Sequence, residues 1–273
     1  MNNENKNNSN LPLIIIGAVL LAAIVGGWYF YQNSKPASNK NTATNVSKKD
    51  DSNALKTYQN APPGAQPPNM LGSPNAQVTV EEFADFQCPT CAQVHGKMSE
   101  INAVYGNRIK FIFRSFPLQM HKYGYDAAVA AEAAGMQDKN KYWDMQTQLF
   151  TNQTAWANSD NARKMFEDYA QKIGLDVEKF QNDMLGLMTK NRVNADMERG
   201  RALNVNGTPT IYVNGKQYIF QQQFEVSELR QMIDAELQKT QGSQPNSQTQ
   251  TNSANISAAN ADVSATNTNA VKK

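Results

Sequence analysis

The chain has 273 residues, with 26 Lys and Arg against 24 Asp and Glu, and a net charge of +2. That length suits one or two ordinary domains, and the near-balance of charge removes the electrostatic case for nucleic acid or an anionic surface as a partner. No basic block stands beside aromatic residues, as a nucleic-acid groove would require.

After a short segment, residues 1–10, Leu11 to Tyr31 form an uninterrupted apolar run, LPLIIIGAVLLAAIVGGWYFY. About 20 apolar residues span a bilayer core as a helix, and Trp28, Tyr29 and Tyr31 cluster at one end, where amphipathic rings favour the interface. The rival reading is a cleaved signal peptide, but the run is longer than a signal core and no A-x-A-like site follows it. A transmembrane signal-anchor is therefore expected at 11–31. A lipoprotein anchor is excluded, since no Cys lies nearby. With Lys6 before the run and Lys35 and Lys40 after it, the positive-inside rule does not select an orientation.

Residues 32–70 are rich in Asn, Ser, Thr, Lys and Pro and show no apolar period, so a disordered tether is expected. Residues 241–273 have the composition of a disordered tail. One folded unit remains, 71–240, a usual domain size.

Within it, Gln77 to Phe86 alternates and is β-branched at its start, which predicts a strand. Pro89 to Tyr105 predicts a helix, and Arg108 to Phe116 a second strand. From about 121 to 204 the apolar spacing turns helical, punctuated by Gly124, Gly135, Gly174 and Gly186. Thr210 to Val213 and Gln217 to Phe220 are predicted strands joined at Asn214-Gly215, a pair suited to two positive-φ positions of a hairpin. Val226 to Lys239 closes the unit as an amphipathic helix. The plan is α/β, a small mixed sheet interrupted by a helical block.

The chemistry sits at Cys88-Pro89-Thr90-Cys91, which holds both cysteines of the chain. Pro89 suits the first turn of a helix and puts Cys88 at the N-cap. A thiolate there meets unpaired N–H groups and the positive end of the helix dipole. Both effects lower its pKa and favour the species that attacks disulfides. Cys91 falls on the apolar stripe of Val94, Met98, Ile101 and Tyr105. Cys88 is thus the expected exposed nucleophile and Cys91 the shielded resolving thiol. Two alternatives stay open. A structural disulfide across three residues closes a tiny loop and gains little chain entropy. A zinc site of Cys88, Cys91, His95 and His121 departs from usual ligand spacing. A redox C-x-x-C at a strand–helix junction fits its context best.

The sequence resembles the DsbA-like branch of the thioredoxin superfamily. The resemblance rests on GSPNAQVTVEEFADFQCPTC (72–91), FRSFPL (113–118), AAVAAEAA (127–134) and NGTPTIYVNG (206–215), and covers essentially the whole predicted folded unit. It implies a thioredoxin-like fold with a helical insertion at about 121–204. It also implies that Pro209 is a cis proline facing the disulfide, preceded by Thr208, and that Glu82 is the buried acid below the site. From the residues alone, Glu82 is either a water-facing edge carboxylate or a buried one with a shifted pKa. His95, two turns from Cys88, is expected to be an exposed helix histidine. Met136, Met145, Met165, Met184 and Met188 are expected in the core of the insertion, though Met also adapts to varied partners.

The function so implied is oxidation of cysteine pairs in exported proteins through a Cys88–Cys91 disulfide. Reoxidation would come from a membrane quinone-linked oxidase, DsbB-like or vitamin K epoxide reductase-like. No organic cofactor and no metal are implied. This chemistry places the catalytic domain on the extracytoplasmic side of the cell membrane, behind a single-pass anchor. Two rivals remain: a disulfide reductase or isomerase using the same site, and a binding module or holdase for unfolded exported proteins. No dimerisation domain of the kind an isomerase often carries is visible, which favours a monomer.

Overall fold

The computed structural model describes residues 48–219 and 223–242. The described residues from 51 onward cluster as one unit. The expected anchor at 11–31 and residues 243–273 of the expected tail lie outside the described residues, among which no helix is long and apolar enough to cross a membrane.

A first helix, α1 (Lys48–Asn60), and a strand, β1 (Asn69–Gly72), precede the elements predicted above. Then follow β2 (Val78–Ala84), α2 (Pro89–Tyr105) and β3 (Ile109–Ser115). The helical insertion comprises α3 (Gly124–Gln137), α4 (Lys139–Thr151), the short α5 (Gln153–Trp156), α6 (Ala162–Lys172), α7 (Val177–Leu185) and α8 (Leu187–Ala202). Strands β4 (Thr210–Val213) and β5 (Lys216–Tyr218) and helix α9 (Val226–Gly242) complete the unit. Asn214 and Gly215 both adopt positive φ, 48° and 80°, at the hairpin, as a two-residue turn of this hand demands.

The sheet runs β1-β3-β2-β4-β5, with β2 parallel to β3 and the other pairings antiparallel. Strand β2 lies between β3 and β4 and is buried along nearly its whole length. Alternation along a strand sends successive side chains to opposite faces, and here the two faces differ in kind. One carries Val78, Val80 and Ala84 against Met98, Ile101, Phe111 and Phe113 in the main apolar core. The other carries Phe83 against Phe116, Leu203, Val205 and Tyr212, and beside them a buried ionic cluster.

That cluster corrects the expected tether from residue 48 on; residues 32–47 of it lie outside the described residues. Residues 48–72, mostly assigned above to disordered chain, are built into the fold. Arg114 donates to Glu81 at 2.7 Å, to Asp196 at 2.9 Å, and to the main-chain carbonyls of Pro63 and Ala65 at 2.8 and 3.1 Å. Arg199 holds both Glu81 oxygens at 2.8 and 2.9 Å and the Pro62 carbonyl at 2.9 Å, while Ala65 N–H donates to Asp196 at 2.8 Å. Gly64 takes φ 75°, and a Cβ there would stand 2.6 Å from Arg114. Around Pro62 to Ala65 the segment is pinned through its backbone, so its scarcity of large apolar side chains there says little about its order. Tyr58 of α1 lies under the Arg199 guanidinium, 4.7 Å from its ring centre.

The methionines of the insertion divide. Met145 is fully buried and Met165 and Met184 are partly so, whereas Met136 and Met188 are exposed, contrary to the expectation that all belong to the core.

Candidate active site

Strand β2 ends at Ala84, and the turn Asp85–Cys88 delivers the chain into α2. Asp85 is buried and shapes that turn. Its Oδ1 accepts from Gln87 N–H at 2.8 Å, and its Oδ2 accepts from Leu118 N–H at 2.7 Å and pairs with His121 Nδ1 at 2.6 Å. An Asp accepting from the N–H two residues on is a turn-forming device, and that signal was available in the Asp-Phe-Gln-Cys sequence. His121, weighed above only as a metal ligand, is instead the partner of Asp85.

Cys88 occupies the N-cap with φ −74° and ψ 121°, and Pro89 follows in the first turn. Both cysteines are free thiols. Cys91 is fully buried, and Cys88 is only 7 % exposed rather than open to solvent. The strand-end loop explains the difference: Thr208 overlies the sulfur, and the Cys88 thiol donates to the Thr208 carbonyl at 3.3 Å. The Thr208–Pro209 peptide bond is cis. The fold thus brings Cys88, Cys91, Thr208 and Pro209 to one place.

The electrostatics separate the two sulfurs. The Cys88 pKa falls from 9.0 to about 5, chiefly because the Cys91 thiol donates to its sulfur. Burial opposes this, while the N–H groups of Cys91 and Thr90 and the Thr208 hydroxyl reinforce it. The Thr208 hydroxyl is buried with no other partner in the reduced thiol form, so it is available to the sulfur once that ionises. Burial, the bond it donates to Cys88 and the Cys88 charge hold the Cys91 thiol well above the ordinary range. Thr90, between them, is exposed.

Glu82 is buried and faces the apolar core, and desolvation raises its pKa from 4.5 to about 8. It lines a cavity of about 160 Å³ together with His95, Met98, Ser99 and Gln146. His95 is not an exposed helix residue. Its ring stacks on Phe150 at 4.9 Å, and burial lowers its pKa.

These shifts set opposite pH slopes. The unfolded chain keeps the Cys88 proton up to about 9 and the reduced native protein loses it near 5. Between those values the unfolded state binds more protons, so stability rises with pH. For Glu82 the native state keeps its proton to about 8 and the unfolded state loses it near 4.5, so stability falls as pH rises through that window. In the reduced protein the two oppose each other between about pH 5 and 8. In the oxidised protein Cys88 has no proton, and the Glu82 slope remains. Urea unfolding of both forms at pH 5, 6.5 and 8 should show the oxidised form weakening with pH and the reduced form holding nearly level. Glu82→Gln should abolish the loss in the oxidised form. Parallel slopes for the two redox forms would contradict this assignment.

Sequence reading missed Gln87 and Gln153. The Gln153 amide reaches the Phe86 and Cys88 carbonyls at 2.7 and 2.9 Å. Gln87 donates to the Ala157 carbonyl at 2.7 Å and accepts from Tyr123 N–H at 2.6 Å. No local pattern announces Gln153, which lies 65 residues from Cys88.

The family model described as Thioredoxin matches residues 65–235. Among solved structures, BdbD from Bacillus subtilis in its oxidised form is 26% identical with a TM-score of 0.56, covering 65% of this chain and 98% of that one. The thiol-disulfide exchange protein alpha-DsbA2 from Wolbachia pipientis shares the fold at 22% identity and a TM-score of 0.57, covering 72% of this chain and 99% of that one. Among curated proteins, the Na(+)/H(+) antiporter NhaA 1 of Mycolicibacterium gilvum is 38% identical over 153 residues. That match takes in 55% of this chain but 24% of the antiporter, so the chain spans about a quarter of the length of the curated relatives it matches. The likeness concerns one part of those proteins, and antiport is not carried over with it. The chain belongs to the thioredoxin family, and it is similar in fold to solved thiol–disulfide exchange proteins of DsbA type.

Proposed function

We propose that this protein oxidises cysteine pairs in exported proteins. The observation that carries the reading is the stabilised Cys88 thiolate at the head of α2, with its pKa drawn down to about 5. Whatever stabilises that thiolate stabilises the reduced enzyme and makes the disulfide a stronger oxidant. A client thiolate attacks Cys88 Sγ of the Cys88–Cys91 disulfide. The intramolecular S–S bond breaks, Cys91 leaves as a thiolate, and a mixed disulfide forms. A second client thiolate then attacks the client sulfur and expels Cys88 as its thiolate. The client gains a disulfide and the enzyme takes up two electrons. The chemistry needs no organic cofactor or metal beyond the cysteine pair.

Regeneration calls for an oxidant that accepts those two electrons, and a quinone-linked membrane oxidase of DsbB-like or vitamin K epoxide reductase-like type fits. The apolar run at 11–31 fits a single-pass anchor holding the domain on the extracytoplasmic face, beside such a partner. External protease should then remove the domain from intact spheroplasts; full protection would place it in the cytoplasm and end the oxidase reading.

Titration against glutathione tests the direction of exchange. Thr90 carries no charge, and a neutral donor stabilises a thiolate less than a histidine cation in the same dipeptide would. The reduction potential should lie between about −120 mV for DsbA and about −270 mV for thioredoxin, nearer the oxidising end. A value as reducing as thioredoxin's would favour the reductase instead.

A further inference from the structure

The turn that presents Cys88 is clamped from the helical insertion rather than from the sheet. Its carbonyls belong partly to neither ladder nor helix, and a buried carbonyl without a donor is costly. Gln153 opens the four-residue helix α5 and is buried. Its Nε2 donates to the Phe86 carbonyl at 2.7 Å and to the Cys88 carbonyl at 2.9 Å. A glutamine amide has two N–H donors, and here both serve the turn. Two facing carbonyls admit only the NH₂ end of the amide.

The Cys88 carbonyl has a second task. It accepts the first helical hydrogen bond of α2, from Ala92 N–H at 3.2 Å. That oxygen is therefore held from two sides, and the hold sets the ψ of the N-cap residue. This angle decides where Sγ stands relative to the N–H groups of Thr90 and Cys91 that stabilise its charge. The clamp is itself rigid: Trp156, one turn on, is fully buried and donates to the Leu149 carbonyl at 2.8 Å. Gln87 crosses the other way, from the turn to Ala157 and Tyr123 of the insertion.

We infer that Gln153 is a positioning residue for the Cys88 nucleophile, so that the insertion tunes the thiolate by holding the backbone on which it is presented. The inference rests on the reading of Cys88 as the nucleophile in the proposed function. It gives the insertion a part in the redox chemistry distinct from covering the core.

Gln153→Met in the full chain keeps side-chain length and removes both donors. Thiolate absorbance of the reduced protein against pH reads the Cys88 pKa, and glutathione titration reads the redox equilibrium. In Gln153→Met the pKa should rise by about one unit, roughly a tenfold loss of thiolate below the pKa, and the glutathione equilibrium should move about tenfold toward the oxidised protein. Trp156→Phe weakens the same short helix but leaves the amide in place, so it should lower stability while keeping the wild-type pKa. A Gln153→Met protein that is merely less stable, with wild-type pKa and equilibrium, overturns the inference, as does an equal pKa shift in Trp156→Phe. A second measurement needs no variant to fold. In the wild-type protein both Gln153 side-chain amide proton resonances should shift between the reduced and oxidised forms, and unmoved resonances would also overturn it. An ordinary cysteine pKa for wild-type Cys88 would instead defeat the proposed function itself.

Discussion

Cys88→Ser should reduce disulfide exchange at neutral pH to below about 1% of wild type, whereas Cys91→Ser should retain attack and accumulate mixed disulfides with client proteins. The asymmetry follows from the two sulfurs' surroundings. With a pKa near 5, Cys88 is almost wholly ionised at pH 7. Cys91 is fully buried and held above 9.0, so about 1% or less of it is thiolate at that pH. It cannot take over as nucleophile when Cys88 is lost. When Cys91 becomes Ser, Cys88 keeps the N–H groups of Thr90 and residue 91 and the Thr208 hydroxyl, and a serine hydroxyl stands where the donating thiol stood. Cys88 remains reactive, and with no resolving thiol the adduct persists. Non-reducing gels of cells expressing each variant decide the matter. Adducts trapped by Cys88→Ser and absent from Cys91→Ser would reverse the roles.

Arg114→Met should cost about 3–5 kcal/mol, the range found when one partner of a buried ion pair is removed. For a domain of this size that is a fall of roughly 10 °C in Tm. Arg114 is 3 % exposed and joins two carboxylates to two main-chain carbonyls. Its removal leaves Asp196 without its cationic partner and frees the Pro63 and Ala65 carbonyls. Glu81 keeps Arg199, which bounds the damage. The same loss should follow from starting the chain at Leu71, which removes the docked backbone of Pro62 to Ala65 and half of β1. A chain starting at Asp51 should keep full stability. Thermal unfolding of the three proteins checks this, and a loss under about 1 kcal/mol, the scale of a surface pair, would show that the cluster contributes little. The glutathione equilibrium should not change in Arg114→Met, because the cluster lies on the sheet face opposite Glu82 and the apolar core.

Much of the fold was legible because local rules and tertiary demands agree. Alternation located the central strands to within a residue or two, the bounds of α2 coincide with those expected, and Asn214-Gly215 marked the hairpin. The Cys88-Pro89 pair indicated an N-cap sulfur because Pro and helix termini have strong local chemistry. Segment 61–72 was not legible, because it is bound largely through its backbone, by Arg114, Arg199 and Arg192 and by pairing with β3, and pattern reading sees side chains. Gln153 was not legible either, since a lone glutamine in a helical block has no local mark of its partner.

The adjacent glutamates Glu81 and Glu82 draw the boundary most clearly. The sequence by itself determined that they lie on a strand and so point to opposite faces, because the strand period is two. It also determined the cysteine pair, its helix start and the order of elements around it. Only the tertiary structure decided what each glutamate meets. Glu81 meets two guanidiniums, which overcome its burial and hold its carboxyl below the ordinary value. Glu82 meets the apolar core, and desolvation lifts it to about 8. The difference lies in charges supplied by residues 33 and 118 positions away, and no local pattern carries a term for a partner at that distance.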